Sequence, residues 1–529
     1  LLGTAVVSLM ALGLPAVATS ASAAPAAAHP VSERTVADVI PAPAQAKANP
    51  KADFTLSPLT VIRTDFGASP DTKQVANYLA GLLRPSTGYP LPVIAAPNFG
   101  WPAISLVLGH ADPSAGTEGY QLDVAKSGVT LRANTATGLF EGVQSLRQLL
   151  PSQVEAKTVQ HTKWTVSGGA ILDYPRFGTR SAMLDVARHF FNPTQVETYI
   201  DQLSQYKINT LHLHLADDQG WRIEIKSWPN LTKIGGSTEV GGGAGGFYTQ
   251  AQYTDIVKYA AARHITIVPE IDMPGHTNAA QASYPELNCT GIAPPLYTGT
   301  DVGFSSYCVS SPTTYKFLDD VIREISAITP GKYFGVGGDE AHSTSAADYA
   351  TFYSHVLPIV AKYGKAAVGW HEIATVTPPV SAVPEYWDTS GTNADVVAAA
   401  ARGNKILMAP ANKAYLDQKY NVDSPLGLDW AGLVEVKDAY DWDPTTTVKG
   451  VDKDSEIAGV EAALWSETIS TSDNIEYLAF PRLLGDAEIA WSPKSTHNWD
   501  NYSQRLAKQG PRMTAEGIDF YRSPQVNWQ

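Results

Sequence analysis

Three scarcities narrow the reading of this 529-residue chain. Cysteine occurs twice, as Cys289 and Cys308. A metal centre would need more cysteine or clustered histidine than this, so neither a metal nor another cofactor is expected. Basic charge is also short: 38 Lys and Arg stand against 52 Asp and Glu, a net charge of -14, with no basic run. That excludes binding to nucleic acid through its phosphates. Long apolar runs are confined to the first residues, and nothing later could span a bilayer. What remains is 44% hydrophobic and 17% charged, a globular composition with enough length for two or three domains, or fewer if one is a barrel.

Residues 1–17 are apolar, and Ala21-Ser22-Ala23 follows ahead of an Ala- and Pro-rich tail. This pattern predicts a secretory signal peptide over 1–23, cut after Ala23, and an extracellular protein with no membrane attachment once the signal is removed. A membrane anchor is the weaker alternative, given the segment's length and its Gly and Pro residues. With neither Met nor a basic segment at Leu1, further residues are expected upstream. In an exported chain, two cysteines closing a short loop rich in Gly, Pro and Thr favour a disulfide over free thiols. Residues 24–52 lack periodicity and read as a disordered linker.

Over 53–170, strand-like runs at Leu59 to Ile62, Ile104 to Leu108 and Val129 to Leu131 mix with two helical patterns. One carries Val75, Leu79 and Leu82; the other Leu139, Val143, Leu146 and Leu150. The expectation is a small α+β domain, an antiparallel sheet with two helices, in a supporting role. From 171 to 529 the texture becomes strand, loop, helix, repeated. Eight strands are expected: Met183 to Val186, Thr210 to Leu215, Ile265 to Glu270, Tyr333 to Gly337, Ala367 to Trp370, Val383 to Trp387, Ile406 to Ala409 and Val460 to Trp465. Capping boxes at Asn192 to Gln195 and Thr249 to Gln252, and Ser311-Pro312, start helices between them. Eight strands with helical crossovers fit a (β/α)8 TIM barrel better than an open sheet.

Chemistry in such a barrel sits at the carboxyl ends of the strands. Those ends carry Asp185 and Arg188, Asp217-Asp218, Glu270 with Asp272 and His276, Asp339-Glu340, Trp370, Trp387, Tyr415 with Asp417, and Trp465 with Glu467. Each has a bland alternative: a strand-end Trp in the core, a structural His276, Asp218 and Asp272 as loop caps, Glu270 paired with an Arg. Jointly they form a rim where aromatic faces stack on sugar C–H faces and charged groups meet hydroxyls, the chemistry of a carbohydrate site.

The adjacent pair Asp339-Glu340 constrains the mechanism. Glycosidases ordinarily place two carboxyls roughly 5 to 9.5 Å apart across the scissile bond, which neighbouring residues cannot easily do. Two close carboxylates disfavour double ionisation, so Glu340 is expected to hold a proton as general acid while Asp339 remains an anion. A 2-acetamido oxygen on the substrate itself can supply the nucleophile, with Asp339 beside the cationic oxazolinium that results.

The segments Arg188-His189-Phe190-Phe191, His212 to Trp221, Pro269 to His276 and Gly337-Gly338-Asp339-Glu340 resemble family 20 glycoside hydrolases, and more narrowly secreted actinobacterial β-N-acetylhexosaminidases. The resemblance covers roughly residues 55 to 525 and includes the small domain. It implies an exo-acting, retaining enzyme on β-linked N-acetylhexosamine oligosaccharides, releasing terminal GlcNAc or GalNAc. It also implies Glu340 as acid and base, Asp339 at the acetamido nitrogen, and Tyr415 at its oxygen. Trp370, Trp387 and Trp465 would wall the acetamido methyl; Arg188, Asp417 and Glu467 would bind the outer hydroxyls. Asp217 and His276 would relay to Glu340, Trp430 would face the aglycone, and Cys289 would pair with Cys308. Glu372 and Asp388 depart from the pattern, where neutral residues are expected. A lacto-N-biosidase of the same family and a catalytically silent sugar-binding barrel stay as alternatives. An endo-chitinase would want an Asp-x-x-Asp-x-Asp-x-Glu run, which is missing. A monomer is expected.

Overall fold

Alternation of side chains sets up the first sheet. Tyr120, Leu122 and Val124 are buried while Gln121, Asp123 and Ala125 face outward, the period of a strand with one covered face. The computed structural model describes residues 34–97 and 100–528; the signal peptide expected over 1–23 lies outside them. Its strands before the barrel are β1 (Gln45–Ala48), β2 (Phe54–Thr55), β3 (Val61–Thr64), β4 (Val93–Ala95), β5 (Ala103–Leu108), β6 (Tyr120–Ala125), β7 (Gly128–Ala133), β8 (Thr165–Val166) and β9 (Gly169–Asp173). Seven of them form one sheet in the order β1-β9-β6-β7-β5-β3-β4, and β2 pairs with β8. Helices α1 (Pro70–Thr87) and α2 (Ala136–Leu149) bury Val75, Leu79, Leu139, Val143 and Leu146 in the core of this layer.

Two expectations are corrected here. The sheet is mixed: β7 pairs antiparallel with β6, but β7-β5, β5-β3 and β3-β4 are parallel, because α1 and the long connection after β5 return the chain to the same end. The stretch 34–52 is no disordered linker. Val36, Val39 and Ile40 are buried, Arg34 donates to the Leu150 carbonyl at 2.9 Å, and β1 pairs with β9. A few well-placed apolar residues and ladder hydrogen bonds suffice to order a segment whose sequence lacks periodicity.

The barrel strands are β10 (Thr179–Asp185), β11 (Thr210–His214), β12 (Thr266–Glu270), β13 (Tyr333–Gly335), β14 (Ala366–Trp370), β15 (Val383–Tyr386), β16 (Ile406–Met408) and β17 (Ile457–Leu464). All eight close in sequence order, each parallel to its neighbours. Both capping boxes form, Asn192 with Gln195 and Thr249 with Gln252, at the starts of helices Pro193–Ser204 and Gln250–Ala261. Trp491 extends into the core of the small domain, and its indole N–H donates to Asp173 at 2.9 Å. Arg34–Gln529 is one compact unit, with the small domain fixed to the barrel at its amino end. Among the described residues no helix is long and apolar enough to cross a membrane.

Candidate active site

β13 stops at Gly335, and the backbone then turns through left-handed torsions at Gly337 (φ 61°), Gly338 (φ 112°) and Glu340 (φ 46°). Glycine is needed at the first two positions. A Cβ on Gly337 would overlap the Asp272 carboxylate, and one on Gly338 would press on the Tyr349 and Tyr353 hydroxyls at 2.8 Å. The Gly338 N–H donates to Asp272 Oδ1 at 3.1 Å, and its carbonyl accepts from Tyr349 at 2.9 Å. Tyr353 ties the ends of β12 and β13 together by donating to the Met273 carbonyl at 2.7 Å and to the Val336 carbonyl at 3.1 Å. This lattice delivers Asp339 and Glu340 to the mouth of the barrel.

One imidazole serves both carboxyls. His276 Nε2 lies 3.5 Å from Asp339 Oδ2 and 3.4 Å from Glu340 Oε2, so both sit on the same side of the site. Its Nδ1 is 3.2 Å from Asp217 Oδ1. Asp217 Oδ2 in turn meets Arg188 at 2.9 Å and His214 Nε2 at 2.8 Å. The guanidinium of Arg188 stands over the Trp465 ring at 4.8 Å.

The pair opens on a cavity of about 370 Å³, lined by Arg188, Thr300, Val302, Asp339, Glu340, Trp387, Tyr415, Asp417, Leu428, Trp430, Trp465 and Glu467. Its aromatic wall is a run of ring contacts: Trp387 to Trp430 at 6.0 Å, Trp430 to Tyr415 at 5.9 Å and Tyr415 to Trp465 at 6.2 Å. Trp430 is 54% exposed at the mouth, and Val302 faces the same opening. Nine of the twelve expected catalytic and sugar-contacting residues thus line one cavity. Asp217, His276 and Trp370 do not. The first two lie behind the carboxyl pair, and Trp370 is fully buried with its ring 5.4 Å from Trp465, which it backs.

Burial drives the electrostatics. Burial raises the Asp339 carboxyl above its ordinary value and the neighbouring Glu340 adds to this, against the pull of His276. Against the cost of burial, Asp217 and Asp339 hold His276 well above the ordinary imidazole value. Asp217 is held well below the carboxylate range, where Arg188 and His276 outweigh burial. At the far end of the cavity, burial and Glu467 push Asp417 up to about 8, and burial raises Glu467 too. Tyr415 is pushed well above the usual phenol value by burial and by Glu385, so it is a hydrogen-bond donor.

Glu372 loses its apparent conflict in this setting. Burial and Asp339 push it up to about 8, and as a neutral carboxyl it accepts from the Trp387 indole N–H at 3.2 Å. Asp388 faces away and caps Ser390. Glu270 pairs with His212 and His214, not with an Arg. Asp218 is a loop cap, accepting from Asn278 at 2.9 Å and Ser305 at 2.6 Å. Sequence reasoning missed Thr300, Val302 and Leu428, which lie in loops without periodicity; the first two fall inside the loop closed by the Cys289–Cys308 disulfide. The set His276, Asp339 and Glu340 has the spacing of a metal site, but its ring nitrogens already face carboxylates on both sides.

Residues 177–494 match the catalytic domain of glycosyl hydrolase family 20, and residues 36–174 match domain 2 of that family. A β-N-acetylhexosaminidase from Cellulomonas fimi is 40% identical over 490 residues, covering 93% of this chain and 97% of that one. The solved structure of the family 20 β-N-acetylhexosaminidase from Streptomyces coelicolor A3(2) shares 53% identity, with a TM-score of 0.91 over 94% of this chain and all of that one. A mutant Streptomyces plicatus β-hexosaminidase in complex with product GlcNAc has the same TM-score, 55% identity, and 94% and 99% coverage. Its barrel, its companion sheet and the residues its strand ends bring together place this chain in glycosyl hydrolase family 20.

Proposed function

We infer that the protein is an exo-acting, retaining β-N-acetylhexosaminidase that releases terminal GlcNAc or GalNAc from the non-reducing ends of chitooligosaccharides or glycans. The observation that carries this reading is the single His276 Nε2 shared by Asp339 and Glu340 at 3.5 and 3.4 Å. Two carboxyls on one side of a cavity cannot flank a sugar ring as acid and nucleophile, so the nucleophile comes from the substrate.

Glu340 gives its proton to the glycosidic oxygen as the C1–O bond breaks. The acetamido carbonyl oxygen attacks C1 from the opposite face and closes an oxazolinium ring. Asp339 accepts from the acetamido N–H and compensates the positive charge there, and that charge offsets the upward push of burial on the carboxyl. The Tyr415 hydroxyl donates to the attacking oxygen. Glu340 then takes a proton from water as the water attacks C1 and the C1–O bond of the oxazolinium breaks, which returns the acetamido group and restores the β configuration. Arg188, Asp417 and Glu467 at the closed end meet the hydroxyls of the terminal sugar, and Trp430 with Val302 meets the departing sugar at the mouth. The protein acts outside the cell after loss of a signal peptide over 1–23, a reading supported by the apolar start of the chain and the Cys289–Cys308 disulfide.

The test is hydrolysis of a chromogenic GlcNAc β-glycoside followed by NMR. The β hemiacetal is the expected first product, with competitive inhibition by N-acetylglucosamine thiazoline. First appearance of the α anomer, or no inhibition, overturns the mechanism.

Asp417 adds a pH dependence. Its Oδ2 accepts from Gln418 at 2.8 Å and Oδ1 is unpartnered. With a value pushed up to about 8, it is mostly protonated at pH 7, whereas a sugar hydroxyl donating to it favours the ionised form. Thiazoline binding is therefore expected to release up to about one proton at pH 7, and to tighten as pH rises from 6 towards 8. Calorimetry in buffers of different ionisation enthalpy checks this, and Asp417→Asn removes that release.

A further inference from the structure

The imidazoles and carboxyls behind the cleft do not end at Asp217. His214, which reaches Asp217 through Nε2, turns its Nδ1 to Glu270 Oε1 at 3.0 Å. The other Glu270 oxygen pairs with His212 Nε2, and His212 Nδ1 lies 2.7 Å from Glu461 Oε1. Glu461 Oε2 accepts from Ser181 Oγ at 2.6 Å. Every one of these side chains is buried. Strand geometry explains the alignment: His212 and His214 are two apart on β11, so both point into the barrel, where β12 brings Glu270 and β17 brings Glu461. Below them a cavity of about 50 Å³, lined by Ser181, His212 and Glu461, shares Thr179, Thr210 and Tyr333 with a cleft at the amino end of the barrel. The chain therefore reaches from behind the active-site cavity to a small cavity that adjoins the amino end of the barrel.

Packing alone is a poor reason for it. Barrel interiors are ordinarily filled by layers of Val, Ile and Leu, and buried ion pairs are often no more stable than apolar residues of similar volume. The alternation of sign is the informative feature. Against burial, Glu461 and Glu270 hold His212 well above its ordinary value, and Glu270 and Asp217 hold His214 up to about 9. Glu270 is held low despite its burial by both imidazoles. Burial and Glu461 push Glu385 well above the carboxylate range.

We propose that Glu461, His212, Glu270 and His214 form an alternating chain of buried charges that positions Asp217 and His276, so that residues deep in the barrel set the pH range over which Glu340 donates its proton. The reading rests on the family 20 chemistry proposed above. These four are positioning residues, since none reaches the cavity. The charged groups facing His276 are Asp217, Asp218, Asp272, Asp339 and Glu340, with Arg188 beyond Asp217. Among the described residues, Asp217 is the member of that set that pairs with His214 within 4 Å.

The test compares kcat/KM against pH for the full chain, Glu461→Gln and His212→Gln, on a GlcNAc glycoside with a poor leaving group. Removing an anion leaves the acid pair in a more positive field, so the alkaline limb moves to lower pH in Glu461→Gln, by about half a unit. Removing a cation moves it to higher pH in His212→Gln by a similar amount. Folded variants whose limbs coincide with the parent to within about 0.1 unit, or shift the same way, overturn the proposal. An inactive parent chain removes the functional reading instead. The histidine ¹⁵N spectrum gives a readout independent of turnover and of those two variants folding: Asp217→Asn is expected to move the imidazole signals of both His214 and His212. Movement of His214 alone overturns the chain.

Discussion

Glu340→Gln is expected to lower kcat/KM for a natural GlcNAc disaccharide by roughly 100- to 10,000-fold, the range for loss of a general acid. The substitution keeps shape and removes the proton. The Glu340 carboxyl sits at the cavity surface, 3.4 Å from His276, and an amide there cannot protonate a departing oxygen. A dinitrophenyl glycoside, whose leaving group needs no proton, should lose far less in the bond-breaking step. The difference between the two substrates is therefore the diagnostic quantity. Equal losses on both would mean that Glu340 acts in some other way, and full activity on the disaccharide would remove it from the mechanism.

Asp339→Asn is expected to lower kcat by roughly 100- to 1,000-fold, the cost of removing one preorganised charge or dipole from a buried transition state. Here the loss should be similar for good and poor leaving groups, because the damage falls on the substrate's own nucleophile. Asp339 is buried and its Oδ1 is unpartnered. A neutral amide can still accept from the acetamido N–H, so KM should change much less than kcat. What the amide cannot do is compensate the positive charge of the oxazolinium. Thiazoline, which mimics that ring, should bind more weakly to the variant than to the parent by a larger factor than GlcNAc does. Undiminished thiazoline affinity would place Asp339 outside the charge-stabilising role.

The barrel was legible because its strands are covered on both faces and read as short apolar runs between turn residues, with capping boxes marking several helices. Asp339, Glu340 and the residues at the other strand ends were legible for a related reason: a closed barrel converts order along the chain into position around one rim. Sheet direction in the small domain was not, since an isolated strand such as Ala103–Leu108 carries no mark of which way its partner runs. Thr300 and Val302 were hidden in a loop placed by tertiary contacts and a disulfide. Partners in the buried chain were equally hidden. The alternation His212, His214 points both rings inward, but nothing local to them names Glu461, 249 residues further on, as the group His212 meets. Glu372 looked like a surplus charge until burial made it a neutral acceptor for Trp387.

The left-handed backbone at Glu340 has a counterpart across the contact, since His276 adopts φ 54°. Such torsions are uncommon outside glycine, more so for Glu than for His, and each costs on the order of 1–3 kcal/mol, held in place by the lattice around Gly337, Gly338 and Tyr353. Glycine at position 340 would relieve the torsion there. Selection of variants for heat resistance alone would thus favour loss of the group that donates the proton, and a programme to harden this enzyme must score turnover alongside survival.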